Sequence, residues 1–490
     1  GFTLGVTGTT TVANASTLAI SSATDTKTFT GAVTINSGGT LSESAAAPLA
    51  FGNDVTINGT LTENGAAVVG IAGSLTNNGT YTASTGAHTF SGTSKTIGGT
   101  TTNTIPIVVF TGTYTNSGTL IVGTALAGAG TLTQAATSIL NIGGSSTITT
   151  LVATAAGNTV NYNGSTETVK PTTYSNLILS GSGVKTTTAV TVNGILSMEG
   201  TATASAAPTY GTSATLQYNT STARTAGVEW VSPFPGSGGV VITNSGVITL
   251  NAAKVINTLS IASGAVVNLS TFTTSRTGIL VLNNTTQPKG SYGGTTSSAT
   301  NINTTYFGSA TGVLTVSNSW TGATNTDWAT STNWSDGTVP IATDNVFIPS
   351  SAVNQPTIGS TALCGILEIA SGATLTISGS NTLTLTDLTN AGTLTANAST
   401  LSIGGVFTNT GTFTAGTGTV NYSGAAQTVT VVTYNNLTLS GSGTKTLQTG
   451  TTSIAGNLSL SGTASTTTVT NLTIGGALLV GDGTNAATFT

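Results

Sequence analysis

A short corner returns along this chain: Asn, then Gly directly or after an intervening residue, then Thr and an apolar residue. It reads "INSGGTL", "INGTL", "TNNGTY", "TNSGTL", "TNAGTL" and "TNTGTF". Asn36 to Asn58 is 22 residues, Asn58 to Asn77 is 19, and Asn116 comes 39 later, about twice that step. Spacing of this size marks stacked coils, each one turn of a solenoid. Between corners, apolar and small polar residues alternate, as in "NTLTLTDLT" and "NLTLSGSG". A period of two belongs to strands with one buried face. Leu, Ile and Val take the inward positions; β-branched Thr suits the outward ones. The nearest approach to a helical period, "ALCGILEIA", is short. The expected fold is all-β, a β-solenoid of parallel β-helix-like coils. Asn and Gly at the corners are expected to supply left-handed backbone.

Two longer repeats extend the pattern. Residues 159–186, "TVNYNGSTETVKPTTYSNLILSGSGVKT", align without a gap to 419–446, "TVNYSGAAQTVTVVTYNNLTLSGSGTKT", at an offset of 260. Residues 75–97 align to 407–429 at an offset of 332. Unequal offsets imply coils shuffled and inserted, which a solenoid tolerates because each coil touches only its neighbours. Coils at roughly 4.8 Å spacing would give an elongated rod on the order of 100 Å if every segment were solenoidal. Pro208, "SPFPGSGG" and "NNTTQPKGSYGG" interrupt the pattern. The expected organisation is therefore a β-solenoid over 1–196 and a β-sandwich-like or irregular β insertion over 197–318. A Trp-rich junction follows over 319–360, and a second solenoid segment over 361–490.

Composition excludes several functions. Charged residues are 4% of the chain, against about 25% in average proteins. Mean hydropathy is +0.27 and 37% of residues are apolar, enough to bury a core and unlike a disordered chain. Net charge is −4, and the nine Lys and Arg form no cluster. That leaves no basic stripe for nucleic acid or an anionic membrane surface. Apolar runs such as "IPIVVF" are too short to span a bilayer. The single Cys364 can form no internal disulfide and reads as a small buried residue. The chain starts at Gly1 without initiator Met or signal peptide, which reads as a processed or excerpted part of a secreted protein. Few Lys and Arg means few trypsin-type cleavage sites, which suits an extracellular place.

Candidate sites are sparse. "WTGATNTDWATSTNWSDGTVPIATDNVFIPS" holds Trp320, Trp328 and Trp334, three of the four Trp, with Asp327, Asp336 and Asp344. Its Trp faces could stack on sugars and its carboxylates could hold calcium. The simpler reading is a small satellite core at a domain junction. His88, the only His, aligns with Val420 on the inward face, so it reads as structural, without the partners of a triad or zinc site. Glu167 becomes Gln427 in the second repeat, which no catalytic carboxylate could survive. Lys185 and Lys445 both follow "SGSG" and read as solvated corner lysines that discourage edge pairing. No facing carboxylate pair for polysaccharide cleavage stands out, so no enzyme, cofactor or metal site is expected.

The Thr/Asn/Gly-rich coils, "QPKGSYGGTTSSATNINTTYFGSATGVLTV" and "WTGATNTDWATSTNWSDGTVP" resemble segments of the very large repetitive cell-surface proteins of Bacteroidota. That group includes gliding-motility adhesins exported by the type IX system. The resemblance spans most of the chain and implies a surface fibre or adhesin with repeated β domains; it brings no catalytic residues. Both ends lie mid-pattern, "GFTLGVTGTTTV" and "LLVGDGTNAATFT", and uncapped coils expose pairing edges. The expectation is an extracellular stalk or filament subunit that self-associates end to end, as a homopolymer or a longer tandem chain. The alternative is a carbohydrate-binding surface module that contacts glycans through Trp320, Trp328 and Trp334.

Overall fold

The computed structural model describes residues 3–451, 453–467 and 471–490. The chain divides into two compact units, Gly1–Asn251 with Ser260–Asn268, and Ala252–Leu259 with Leu269–Thr490. Each is a parallel β-solenoid, as the alternation predicts.

In the first unit the early coils have three strands each. One coil runs Leu49–Phe51, Val55–Ile57 and Thr60–Thr62; the next runs Val69–Ile71, Leu75–Asn77 and Thr80–Thr82. Each strand pairs in parallel with its counterpart one turn on: Leu49 with Val69, Val55 with Leu75, Thr60 with Thr80. This register stacks like on like. Phe29 lies opposite Phe51, with ring centroids 5.5 Å apart, and Ile35 opposite Ile57. Such in-line apolar ladders are the sheet's main source of stability. The parallel ladder runs on through Ile195–Glu199, Thr215–Asn219 and Gly239–Ile242.

The second unit repeats the three-walled plan. Asn345–Ile348, Ile366–Ile369, Asp387–Asn390 and Phe407–Asn409 form one wall. Thr374–Ile377, Thr393–Thr395 and Thr412–Thr414 form another, and Thr382–Leu385 through Leu478–Val480 form the third. The stretch around "NNTTQPKGSYGG" departs from the parallel ladder and forms an irregular insertion. Thr285–Thr286 pairs antiparallel with Ser275–Leu282, and Gly290–Gly293 pairs antiparallel with Leu314–Val316, unlike the coils on either side.

The corners differ from expectation. Of the corner glycines, Gly38 alone has a positive φ, 77°. At Gly59, Gly79, Gly392 and Gly411 the coils approach too closely for a side chain. A Cβ on Gly59 would lie 2.3 Å from the carbonyl oxygen of Gly39, and one on Gly79 would lie 2.1 Å from that of Gly59. Those same carbonyls accept the amides of Thr60 and Thr80 at 2.9 Å, so they cannot retreat. Asn77, Asn116 and Asn390 are fully buried at their corners. Asn77 and Asn116 accept the amides of Gly79 and Gly118 across the turn and donate to a neighbouring coil, and Asn390 donates to Asn409 Oδ1 at 2.7 Å. We expect Gly59→Ala to cost about 1–3 kcal/mol, the usual cost of overpacking, read as loss of amide-exchange protection at Thr60 and Thr80. Unchanged protection there would refute the contact.

Candidate functional site

The Trp-rich segment opens the second unit's first wall, where Asn318–Ser319 pairs with Val346 and Phe347. It folds around Asn333, which is fully buried in a 3-10 turn at Ser331–Asn333. Asn333 Oδ1 accepts the amides of Thr324 and Asn325 at 2.9 and 3.1 Å. Its Nδ2 donates to Asn325 Oδ1 and to the Asp327 carbonyl at 2.8 and 2.9 Å. One side chain thus closes the whole loop. Trp320, Trp328 and Trp334 are 1%, 3% and 3% exposed. Trp334 stands edge-on to both others, with centroids 4.9 Å from Trp320 and 4.6 Å from Trp328. Its Nε1 donates to the Trp328 carbonyl at 2.9 Å, while Trp320 Nε1 donates to Asn354 at 2.6 Å. With their faces covered by protein, the three rings pack as a core extension. Sugar stacking would require the segment to open.

The three aspartates do not converge. Asp327 accepts the Ala329 amide at an exposed turn. Asp336 and Asp344 are both bridged by Lys289, at 2.7 and 3.0 Å. Burial would lower the Lys289 pKa, but the two carboxylates outweigh it and hold it above its ordinary value. This clamp ties the irregular insertion to the Trp-rich segment. Among the described residues no group of three or more His, Cys, Asp and Glu side chains is arranged to hold a metal ion.

Beside the clamp lies an open groove of about 400 Å³. Gly290, Ser291 and Thr300 of the insertion form one side, and Asn345, Ile366 and Glu368 of the wall the other. Arg276 contacts Glu368 directly, its guanidinium 5.5 Å above the Phe347 ring. Burial raises the Glu368 pKa while Arg276 opposes it. The groove offers hydroxyl and amide groups and one carboxylate already paired. Two facing carboxylates, the requirement for glycoside cleavage, are not in its lining.

The repeated 28-residue stretch builds the same buried polar station twice, and here the solvated-lysine expectation is wrong. Lys185 and Lys445 are both fully buried. Lys185 Nζ lies 2.5 Å from Glu167 Oε2 and 2.7 Å from the Gly164 carbonyl. Lys445 Nζ lies 2.7 Å from Gln427 Oε1 and 2.7 Å from the Gly424 carbonyl. The Gly164 and Gly424 amides donate back to Glu167 and Gln427, each at 2.8 Å. Alongside, Tyr162 meets Tyr174 at 3.2 Å, and Tyr422 meets Tyr434 at 2.9 Å, hydroxyl to hydroxyl. Charge differs between copies; the lysine-to-carbonyl, lysine-to-side-chain and glycine-amide bonds are common to both. Lysine fits because its inward path ends on carbonyls of the preceding coil. Burial pulls the pKa of Lys445 down to about 8.

His88 is inward, as expected, and fully buried, and its partner was not legible in the sequence. Nδ1 faces the Gly86 carbonyl at 3.0 Å, and Nε2 faces Glu63 Oε2 at 2.8 Å. Glu63 also accepts the Tyr81 hydroxyl and the Ser84 amide, both at 3.0 Å. Glu63 precedes His88 by 25 residues and meets it across coils. Only the coil period could have suggested the pairing. Cys364 is buried as expected, and burial pushes its thiol up to about 12.

Residues 319–434 match a family model described as a domain of unknown function (DUF8693). No curated protein and no solved structure matches the chain.

Proposed function

We propose that this chain is a structural protein of a cell surface, a stalk or filament subunit that acts mechanically and adheres rather than catalyses. One observation carries the reading. The strongest polar groups of the interior, Lys185, Lys445, His88 and Glu63, are committed to neighbouring coils and closed off from solvent. Groups poised for catalysis sit instead in accessible clefts with strongly shifted partners. Here ionisable side chains fasten one turn to the next, as a load-transmitting stack requires. The near absence of charge and the Bacteroidota-like composition support an extracellular place. End-to-end association is part of the proposal. Leu478, Leu479 and Val480 are 44%, 50% and 48% exposed, on a strand that among the described residues pairs with Leu458–Leu460 alone. A strand of this kind is a template for another chain.

Electron microscopy of native material tests the reading directly. Rods or filaments built from the chain are expected. Dispersed globular particles, with the isolated chain monodisperse at high concentration, would overturn it.

A further inference from the structure

The outward faces of two walls carry a regular lattice of hydroxyls. In the first unit, Thr60–Thr62 and Thr80–Thr82 each read Thr-x-Thr, and Thr40–Glu43 reads Thr-Leu-Ser. The register is in line: Thr40 opposite Thr60 opposite Thr80, and Ser42 opposite Thr62 opposite Thr82. The second unit repeats the device on Thr374–Ile377, Thr393–Thr395 and Thr412–Thr414. There Thr374, Thr393 and Thr412 form one file and Thr376, Thr395 and Thr414 the other. The intervening Leu61 and Leu394 point inward and are buried, so both threonines of each strand face outward. No hydroxyl of the two lattices makes a hydrogen bond to another described residue, and no outward position in either is charged.

We propose that these two lattices bind ice. Parallel strands set the files at roughly 4.8 Å along the stack and about 6.6 Å across it, a rectangular repeat close to that of oxygen atoms on the faces of hexagonal ice. Threonine is stiff at χ1, so hydroxyl and methyl are held in a fixed array before any ligand arrives. A pre-ordered array avoids most of the entropy that binding otherwise costs. Each hydroxyl can bond one lattice water while each methyl leaves its neighbour water in a cage. The occupant is uncharged, and so is the surface. Flexible, charged side chains, which dominate ordinary protein surfaces, would break such order. The same construction occurs in both compact units of the chain.

This names a target for the adhesive part of the function proposed above, yet it fails separately: rods in the microscope say nothing of ice, and ice affinity says nothing of rods. The test grows polycrystalline ice slowly in a solution of the full chain and measures protein in the ice against protein in the liquid. Enrichment in the ice and slowed recrystallisation of an ice film are expected. The Thr60→Lys/Thr393→Lys pair should lose both effects while Thr296→Lys, at an exposed site away from the lattices, keeps them. Thr60→Ala/Thr393→Ala repeats the comparison without added bulk, and circular dichroism verifies that each variant is folded. Exclusion of the unmodified chain from ice would overturn the proposal. So would ice entry undiminished in both paired variants, or binding to crystalline cellulose powder with none to ice.

Discussion

Replacing Lys185 with Ala should destabilise its coil by about 3–5 kcal/mol, the range for breaking a buried ion pair by removing one partner. The cost lies in what remains. Glu167 is 6% exposed, and without Lys185 its carboxylate keeps one donor, the Gly164 amide, while Oε1 has no hydrogen-bond partner at all. A buried carboxylate so poorly compensated is expensive. The second copy provides the control within the same molecule. Lys445→Ala leaves Gln427 neutral, still accepting the Gly424 amide and still donating to Ile403 and Gly405 at 3.0 and 2.7 Å. Its loss should be smaller, about 1–2 kcal/mol, near the worth of individual hydrogen bonds. Glu167→Gln, which imports the second copy's chemistry, should stay within about 1 kcal/mol of the parent, near the worth of one hydrogen bond, since the second copy holds a buried lysine on a neutral Gln427 acceptor at 2.7 Å. Amide exchange at residues 164–186 and 424–446 reads each coil locally, which matters in a repeat protein whose cooperativity need not be global. Equal losses from the two lysine variants would show that the charge of Glu167 plays no part.

The second large effect is expected at Trp334. Trp334→Ala should cost about 3–5 kcal/mol, as large-to-small changes of buried aromatics do. The ring is the middle of three and touches both others edge-on, so its removal breaks two aromatic contacts worth about 0.5–1.5 kcal/mol each beyond burial. It also strands the Trp328 carbonyl that its Nε1 satisfies. Trp334→Phe keeps the area and loses the hydrogen bond, and should fall between. The readouts are tryptophan fluorescence, which this cluster dominates, and amide exchange over residues 319–348. A Trp334→Ala chain with unchanged stability and lost glycan binding would instead favour the carbohydrate-binding reading, because a sugar platform contributes to its ligand and little to its own fold.

The two repeated stretches show how far sequence reading goes. Alternation in "TVNY" placed Val420 and Tyr422 inward, and both are buried, at 1% and 0%. It also placed His88 inward through the alignment. The same method failed at Lys185 because a long charged residue after a glycine turn usually snorkels to solvent. Here the turn brings the ammonium under carbonyls 21 residues earlier, on the adjacent coil. The groove at Arg276 and Glu368 was invisible for a related reason. Its walls are 92 residues apart in sequence and meet because an irregular insertion lies beside a regular wall.

Sequence alone determined the class of fold and the inward and outward faces of the apolar strand residues. These follow from local rules: a period of two assigns faces to a pleated strand, and a corner every coil sets the repeat length. Tertiary structure decided everything that depends on which coil lies above which. It turned corner glycines from conformational devices into spacers and two apparent surface lysines into buried fasteners. It also covered the three Trp rings and brought single threonines into lattices. The physical reason is common to all of them. In a stacked fold, a side chain's solvation and partners are set by residues roughly one turn away, and the sequence carries that distance only as an average.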